Sequence, residues 1–246
     1  MYYEIYGTGK PLTLIHGGGS TIQTTYGNII PLLSKTRQII AMDLQAHGRT
    51  PDRDVPLSFK QDADDVATLL KNLNITHSDF MGFSNGGHTI IEIALRHPKL
   101  IGKMIIASSF YKRSGAPQQF WDGFNDATID IMPPALKEGF FKVNKDEAAF
   151  HKMFYRDVER MKSFTDWSDD QIRSIKAPTL IVNGNQDVGS VEHAVEMYRM
   201  FPNSELVVLP GSHGTYMGAV EALEDGKWNQ EYFVEIINNF LNPLSP

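Results

Sequence analysis

Short runs of β-branched and aliphatic residues alternate with longer amphipathic segments along most of this 246-residue chain. Because helices that connect strands pack onto the faces of a sheet, this alternation predicts an α/β fold with a mostly parallel, twisted sheet and flanking helices. The predicted strands are residues 2–6, 11–15, 38–42, 79–82, 103–107, 179–183 and 205–209. A short glycine turn at 7–9 separates the first two and predicts that they pair as an antiparallel hairpin.

Four amphipathic segments predict helices, at residues 58–73, 86–96, 191–200 and 230–241. Ser58 and Gln61 have the spacing of a capping box at the start of the first of these helices. Three aspartates follow in its first turns, at positions 62, 64 and 65. Since negative charge is favourable at a helix N-terminus, we interpret them as structural and not as a metal cluster.

The alternation stops between residues 110 and 175, where the pattern is helical and no strand is predicted. We interpret this segment as a helical cap inserted into an α/β core formed by residues 1–109 and 176–246. Twelve aromatic residues lie in it, and most are expected to dock it onto the sheet. We expect the remainder to line a ligand pocket, near which Lys112, Arg113 and Arg156 are the cations that could bind a carboxylate.

Composition excludes several classes of function. A net charge of −6 without a cluster of Lys and Arg argues against nucleic-acid binding. The absence of cysteine removes disulfides, thiolate nucleophiles and cysteine zinc sites, and we predict no cofactor and no metal. We expect no signal peptide, and no apolar run reaches the ~20 residues that a membrane helix needs. We therefore expect a cytoplasmic protein that acts on a small molecule, and a removed targeting segment stays open as the alternative.

The most informative motif is Gly-Phe-Ser-Asn-Gly-Gly at residues 82–87, a G-x-S-x-G match between a predicted strand and a predicted helix. A serine in such a tight turn has a strained backbone, and the residues two positions away on both sides must lack a bulky Cβ. Gly82 and Gly86 meet this requirement. The motif therefore predicts Ser84 as a nucleophile raised above the sheet edge.

A second motif, His-Gly-Gly-Gly at residues 16–19, follows the predicted strand 11–15. Glycines allow the backbone to approach a substrate and to direct an N–H group at it. We predict that the N–H groups of Gly18 and Asn85 form an oxyanion hole. His16 is expected to be a hydrogen-bonded structural residue.

A serine nucleophile needs a base, and a histidine base needs an orienting carboxylate. His213 and Asp187 each lie in a polar loop just beyond a predicted strand, on the same sheet edge as Ser84. Their order along the chain, Ser, Asp, His, is the usual one for this arrangement. His47 and His88 are weaker candidates for the base, and Asp43 is expected to shape its own loop. The remaining histidines are expected to be surface or packing residues.

Together these motifs resemble the α/β-hydrolase superfamily from Tyr2 to the C-terminal helix. The resemblance rests on residues 16–18, 43–50, 82–87, 177–184 with Asp187, and 211–213. It implies that residues 110–175 are the lid or cap found after the sixth strand. Relatives usually have glycine where this chain has Ala46, and they commonly have about ten further residues before Tyr2 that form a first strand.

The predicted function is hydrolysis of small apolar or aromatic carboxylic esters, thioesters or lactones through an acyl-enzyme intermediate. A serine at the elbow differs from the aspartate of haloalkane dehalogenases and epoxide hydrolases, and the loop at 16–20 lacks the proline of proline iminopeptidases. Three alternatives stay open: cleavage of a carbon–carbon bond, cofactor-free perhydrolysis, and a small-molecule receptor with little turnover.

Overall fold

The computed structural model describes residues 1–225 and 229–242, so the predicted core segment 176–246 extends outside the described residues at 226–228 and 243–246. The fold is built on a seven-stranded sheet with the order β1-β3-β2-β4-β5-β6-β7. Its strands are β1 Tyr2–Tyr6, β2 Pro11–Ile15, β3 Gln38–Asp43, β4 Ser78–Phe83, β5 Ile101–Ala107, β6 Thr179–Gly184 and β7 Ser204–Leu209. All neighbouring pairs are parallel except β1 with β3. The predicted α/β fold class is confirmed.

The predicted hairpin between β1 and β2 is wrong. β1 pairs antiparallel with β3, with Tyr2 opposite Asp43 and Tyr6 opposite Ile39. β2 already has a parallel neighbour on each side, β3 and β4, and therefore offers no free edge. The alternating exposure of β1 fits an edge strand, whereas β2 is buried from Leu12 to Ile15.

Helices cover both faces of the sheet. They are α1 Ile22–Tyr26, α2 Ile30–Leu33, α3 Phe59–Asn72, α4 Asn85–Arg96, α5 Gln118–Asp122, α6 Pro134–Val143, α7 Glu147–Lys162, α8 Asp169–Ser174, α9 Val191–Met200 and α10 Gln230–Leu241. Within the described residues, no helix combines the length and the apolar character needed to cross a bilayer. The capping box predicted for α3 is half present, because Ser58 accepts from the Gln61 N–H while the Gln61 amide donates to Asp65.

Two apolar cores follow from the alternation of side chains along each strand. On one face, Ile40 and Ile106 pack with α3, α4, α8 and α9. On the other face, Ile39 and Ile105 pack with α1, α2 and α10. Because both faces are covered, the inner strands contain consecutive buried residues, such as Leu12–Ile15 and Met104–Ala107, rather than alternating buried and exposed ones.

Helices α5 to α8 lie between β5 and β6, in the segment 110–175 that the sequence predicts to be helical. Part of this segment forms its own apolar cluster, which includes Met132, Phe140 and Phe150. Other aromatics, among them Phe164 and Trp167, join the core on the sheet and surround the ring of His88. The segment is thus anchored to the sheet by part of its aromatic residues and held together by the rest.

Candidate active site

Ser84 occupies the turn between β4 and α4. Its backbone has φ 53° and ψ −120°, a conformation that is strained for a residue with a side chain. A Cβ on Gly82 would lie 2.2 Å from the carbonyl oxygen of Gly86, and one on Gly86 would lie 2.0 Å from that of Ile15. The steric reason predicted for glycine at both positions is confirmed. The turn leaves the Ser84 side chain half-buried at the start of α4, where N–H groups are free to donate.

His213 and Asp187 are joined by a hydrogen bond of 2.7 Å from Nδ1 of the histidine to Oδ1 of the aspartate. Asp187 lies in the loop after β6 and His213 in the loop after β7, so neighbouring strand ends bring the two side chains together. Since Nδ1 carries the proton of this hydrogen bond, Nε2 is the free nitrogen of the neutral ring. This is the tautomer that a general base acting through Nε2 requires.

Asp187 has all four of its acceptor positions filled. Oδ1 also accepts from the N–H of Val188 at 2.8 Å, while Oδ2 accepts from the Ser108 hydroxyl at 2.5 Å and the Gly184 N–H at 3.1 Å. Burial raises the pKa of Asp187, but the charge of His213 and these hydrogen bonds outweigh it and keep the pKa below its ordinary value. The carboxylate is therefore ionised at neutral pH.

The pKa of His213 is raised above its ordinary value. Burial of the ring lowers it, but the charge of Asp187 and the hydrogen bond to it outweigh this effect. Glu221 contributes in the same direction with its negative charge, while burial raises the pKa of Glu221 itself. The ring is consequently poised to hold a proton once it has taken one from a nucleophile.

The ring of His213 lies beside the serine turn. Its centroid is 4.6 Å from that of Phe83, the residue before Ser84. No hydrogen bond joins Ser84 Oγ to His213 within the described residues. Catalytic hydrogen bonds in ligand-free sites are often long and shorten only in the substrate complex. The predicted residues therefore share one site, and within it the histidine and the aspartate are already bonded.

Gly18 and Asn85 face each other across the entrance of the turn. A Cβ on Gly18 would lie 2.6 Å from Nδ2 of Asn85, so that side chain packs directly over the glycine. Across residues 1–225 and 229–242, neither the Gly18 N–H nor the Asn85 N–H has a hydrogen-bond acceptor. The next amide, that of Gly19, is occupied, because it donates to Asp157 Oδ2 at 2.6 Å. Two adjacent donors therefore remain available to a ligand.

Asp157 belongs to a buried charge network, which we define as His47, Asp62, Asp157 and Arg160. Nε2 of His47 donates to Asp157 at 2.8 Å, and Nδ1 faces the carbonyl oxygen of Gln45 at 2.8 Å. Arg160 bonds to Asp62 at 2.8 Å and also to Asp157. Because both ring nitrogens of His47 face acceptors, the ring is an imidazolium.

The pKa directions in this network agree with that assignment. Burial lowers the pKa of His47, but Asp157 more than compensates and the net direction is upward. Burial also raises the pKa of Asp157, which Arg160 and His47 outweigh to hold it well below its ordinary value. Burial raises the pKa of Asp62 to about 6 despite the opposing charge of Arg160. Two cations and two carboxylates thus compensate one another in the interior.

The remaining polar candidates have structural roles. His16 accepts from the Leu44 N–H at its Nε2 and bonds to the Gly17 carbonyl oxygen through Nδ1, which confirms it as a hydrogen-bonded structural residue. Asp43 accepts from the N–H groups of Ile22 and Arg49, which confirms that it shapes its loop.

A cavity of about 280 Å³ opens onto the serine turn and contains Ser84, Gly18 and Asn85 in its wall. Of the twelve aromatics in the segment 110–175, three line it, namely Phe120, Phe124 and Phe154. The expectation that part of these aromatics line a pocket is confirmed. Among the described residues that line the cavity, the single charged one is Asp157.

Sequence reasoning missed Asp157, Ser108 and Tyr216. Asp157 is an ordinary-looking acidic residue on an amphipathic helix, and Ser108 and Tyr216 belong to no motif. One signal was available for Ser108, since it follows a buried strand at the same sheet edge as the other site residues.

The chain belongs to the alpha/beta hydrolase family, whose sequence profile matches residues 14–223. It is 24% identical over 240 residues to the 2-hydroxy-6-oxo-6-(2'-aminophenyl)hexa-2,4-dienoic acid hydrolase of Metapseudomonas resinovorans, covering 89% of this chain and 82% of that protein. It is 26% identical over 248 residues to a non-heme haloperoxidase of Rhodococcus erythropolis, covering 87% and 89%. A thermophilic esterase from Thermogutta terrifontis has a similar fold, with a TM-score of 0.76, 20% identity and coverage of 98% and 92%. The protein is an α/β-hydrolase enzyme.

Proposed function

We propose that this protein is a serine hydrolase that cleaves small apolar or aromatic carboxylic esters, thioesters or lactones. The observation that carries the proposal is the hydrogen-bonded pair of His213 and Asp187 beside the strained Ser84 turn. An oriented histidine next to a serine is the arrangement that activates a hydroxyl group for attack.

In the first half of the reaction, Ser84 Oγ attacks the carbonyl carbon of the substrate while Nε2 of His213 takes the hydroxyl proton. The carbonyl oxygen becomes an oxyanion, which accepts from the N–H groups of Gly18 and Asn85. Asp187 stabilises the imidazolium without itself becoming protonated. The bond to the leaving oxygen or sulfur then breaks, and the imidazolium returns its proton to the leaving group.

In the second half, a water molecule gives a proton to His213 and attacks the acyl carbon. The same two N–H groups stabilise the second oxyanion. The bond between the acyl carbon and Ser84 Oγ then breaks, and the serine oxygen regains its proton from the imidazolium. The carboxylic acid leaves, and for a lactone the acid and the alcohol belong to one product molecule.

The cavity supports an uncharged, compact acyl group. Its volume of about 280 Å³ is small, and Phe120, Phe124 and Phe154 give it an apolar wall. The three cations considered as carboxylate partners are engaged elsewhere. Lys112 pairs with Asp169 and Glu196, Arg113 lies over the ring of Trp121, and Arg156 pairs with Asp52. We propose on the same grounds that residues 110–175 act as the cap of the site.

Carbon–carbon bond hydrolysis is the second candidate, because the Metapseudomonas resinovorans relative is named for a dienoic acid substrate. A dienoic acid carries a carboxylate, which needs a cation or several hydrogen-bond donors wherever it is buried in the cavity. The charged residue that lines the cavity here is an aspartate, among the described residues. This contrast favours the ester, thioester and lactone class.

The test measures steady-state turnover of p-nitrophenyl butyrate, phenyl thioacetate, a γ-lactone and a carboxylated dienone, with the Ser84→Ala protein as the blank. We expect turnover of the first three classes by the wild type and none by Ser84→Ala or His213→Ala. A fluorophosphonate probe should label the wild type at Ser84 and leave Ser84→Ala unlabelled.

Two results would contradict the proposal. Turnover confined to the dienone would assign the site to carbon–carbon cleavage. Labelling of Ser84 by the probe without sustained turnover of any substrate would indicate a receptor.

A further inference from the structure

Ser108, at the carboxyl end of β5, has a backbone conformation that its residue type rarely adopts. Its φ is 51°, in the left-handed region, and its exposed fraction is 2%. Residues with a Cβ occupy this region at a cost, and they persist there when other interactions compensate. The Ser108 N–H donates to the carbonyl oxygen of Val182 at 2.8 Å, and the serine side chain adds hydrogen bonds that a glycine at this position could not make.

The Ser108 hydroxyl connects two side chains of the site. Its Oγ lies 2.5 Å from Oδ2 of Asp187 and 2.6 Å from the hydroxyl oxygen of Tyr216. Since a carboxylate can only accept, the proton of Ser108 is directed at Asp187, and Tyr216 must donate to Ser108. Tyr216 is fully buried, and burial raises its pKa well above the ordinary range, so the phenol keeps its proton.

These contacts link Tyr216, Ser108, Asp187 and His213 in series, and the backbone between His213 and Tyr216 closes the series into a ring. Tyr216 lies three residues after His213, and His213 donates to the Asp187 oxygen that Ser108 does not contact. The ring therefore joins the ends of β5, β6 and β7, the last through the loop that carries both His213 and Tyr216. Asp187 cannot turn about its side-chain bonds without breaking a hydrogen bond to one of the other strands.

We propose that Ser108 is a positioning residue of the reaction: supported by Tyr216, it fixes the orientation of Asp187 and, through it, that of His213. The inference rests on the proposed triad. Ser108 acts through Asp187 and contacts neither the substrate nor the nucleophile.

The Ser108 hydroxyl also affects the charge balance of the pair. The Ser108 hydroxyl hydrogen is donated to Asp187 and stabilises the ionised carboxylate. The carboxylate therefore attracts the proton on His213 less strongly than it would without this hydrogen bond. The other titratable groups that influence His213 and Asp187 are Glu221 and Tyr216. Loss of the Ser108 hydroxyl should therefore raise the pKa of His213, which a purely structural residue would leave unchanged.

The decisive variant is Ser108→Gly/Tyr216→Phe, which relieves the backbone strain and removes both hydroxyl groups without leaving one buried and unpaired. We expect its melting temperature to stay within a few degrees of the wild type. We expect kcat/KM for p-nitrophenyl butyrate to fall roughly 10- to 100-fold, the range for losing a hydrogen bond to a charged group. The loss should appear in kcat rather than KM, and the acidic limb of the pH profile should move upward by about half a pH unit.

Single variants and a neighbouring serine complete the test. Ser108→Ala should lose about as much activity as the double variant, and Tyr216→Phe should lose less, because the two hydroxyl groups act in series. The matched control is Ser109→Ala, since within the described residues the buried Ser109 hydroxyl has no hydrogen-bond partner. Its kcat/KM and pH profile should equal those of the wild type.

A double variant that is stable and retains the wild-type kcat and acidic limb would overturn the positioning role. So would losses in Ser108→Ala and Tyr216→Phe that multiply in the double variant. Failure of the proposed function is distinguishable, because then the wild type itself would lack turnover or Ser84→Ala would retain it.

Discussion

Replacing Arg160 with methionine tests how strongly the buried charge network holds the segment 110–175 against the sheet. The side chains of Arg160 and Asp62 are 2% and 1% exposed, so neither can find a substitute partner in water. Removing one member of a buried ion pair costs about 3–5 kcal/mol, because the other charge is left uncompensated. For a chain of this size, that is a fall in melting temperature of roughly 6 to 20 °C.

The cost should depend on pH in a defined direction. Burial raises the folded-state pKa of Asp62 to about 6, above that of the unfolded chain, so protonated Asp62 favours the folded state and this contribution is lost as pH rises through about 6. Without Arg160, which lowers this pKa, the carboxyl stays protonated to higher pH. The variant should therefore be most destabilised at pH 8 and least destabilised near pH 5.

Thermal unfolding followed by circular dichroism at pH 5 and pH 8 measures this effect. The control is Arg156→Met on the same helix. The Arg156 side chain is 25% exposed, and its ion pair with Asp52 should contribute less than about 1 kcal/mol. The Arg160→Met/Asp62→Leu double variant should regain much of the lost stability. An Arg160→Met protein as stable as the control at pH 8, or one more destabilised at pH 5, would refute the reasoning.

Three further outcomes concern catalysis. Asp187→Asn should lower kcat on the order of 10⁴-fold, because an amide favours the wrong tautomer of His213; near-normal turnover would mean that another carboxylate orients the ring. Wild-type activity should rise with pH through one ionisation above the ordinary histidine value of about 6.5, since His213 must be neutral and its pKa is raised. An acidic limb centred below 6 would contradict this expectation. Across p-nitrophenyl acetate, butyrate, hexanoate and decanoate, kcat/KM should climb a few-fold per carbon and then stop. Phe124→Ala should move this limit to longer chains. Phe141→Ala should not, because Phe141 packs against Phe140 and Phe150. A flat profile would show that the cavity does not select the acyl chain.

Local patterns predicted the elements well because the physics that forms them is local. The bounds of Val191–Met200 and Gln230–Leu241 match the amphipathic segments, each of which begins after a capping side chain. Strand pairing depends on contacts between distant residues. The turn at 7–9 suggested that β1 pairs with β2, whereas β1 pairs with β3. The backbone of Ala46 adopts φ 65°, in the left-handed region that glycine enters more readily than alanine.

The site divides in the same way. The sequence predicted three candidates, Ser84, Asp187 and His213. A glycine-flanked turn and two polar loops after predicted strands are short patterns that can be recognised in the sequence. Asp157 was not predictable, because its role depends on Gly19, 138 residues away. The strand end before Ser108 indicated where this residue lies, but its role depends on Asp187, 79 residues away. Such pairings are set by how the segment 110–175 and the strand ends meet in space, which no short pattern records.

The charge network limits how the segment 110–175 could be exchanged between this enzyme and its relatives in a chimaeric protein. Asp157 and Arg160 lie on helix α7 of the segment 110–175, whereas His47 and Asp62 lie on the sheet domain. A segment transplanted alone would keep the pair of Asp157 and Arg160 but would leave behind their second partners, His47 and Asp62, and the recipient scaffold would need matching charges at those two positions. Recombination and protein design must therefore move these four positions as one inherited unit, although they are scattered over more than a hundred residues of chain.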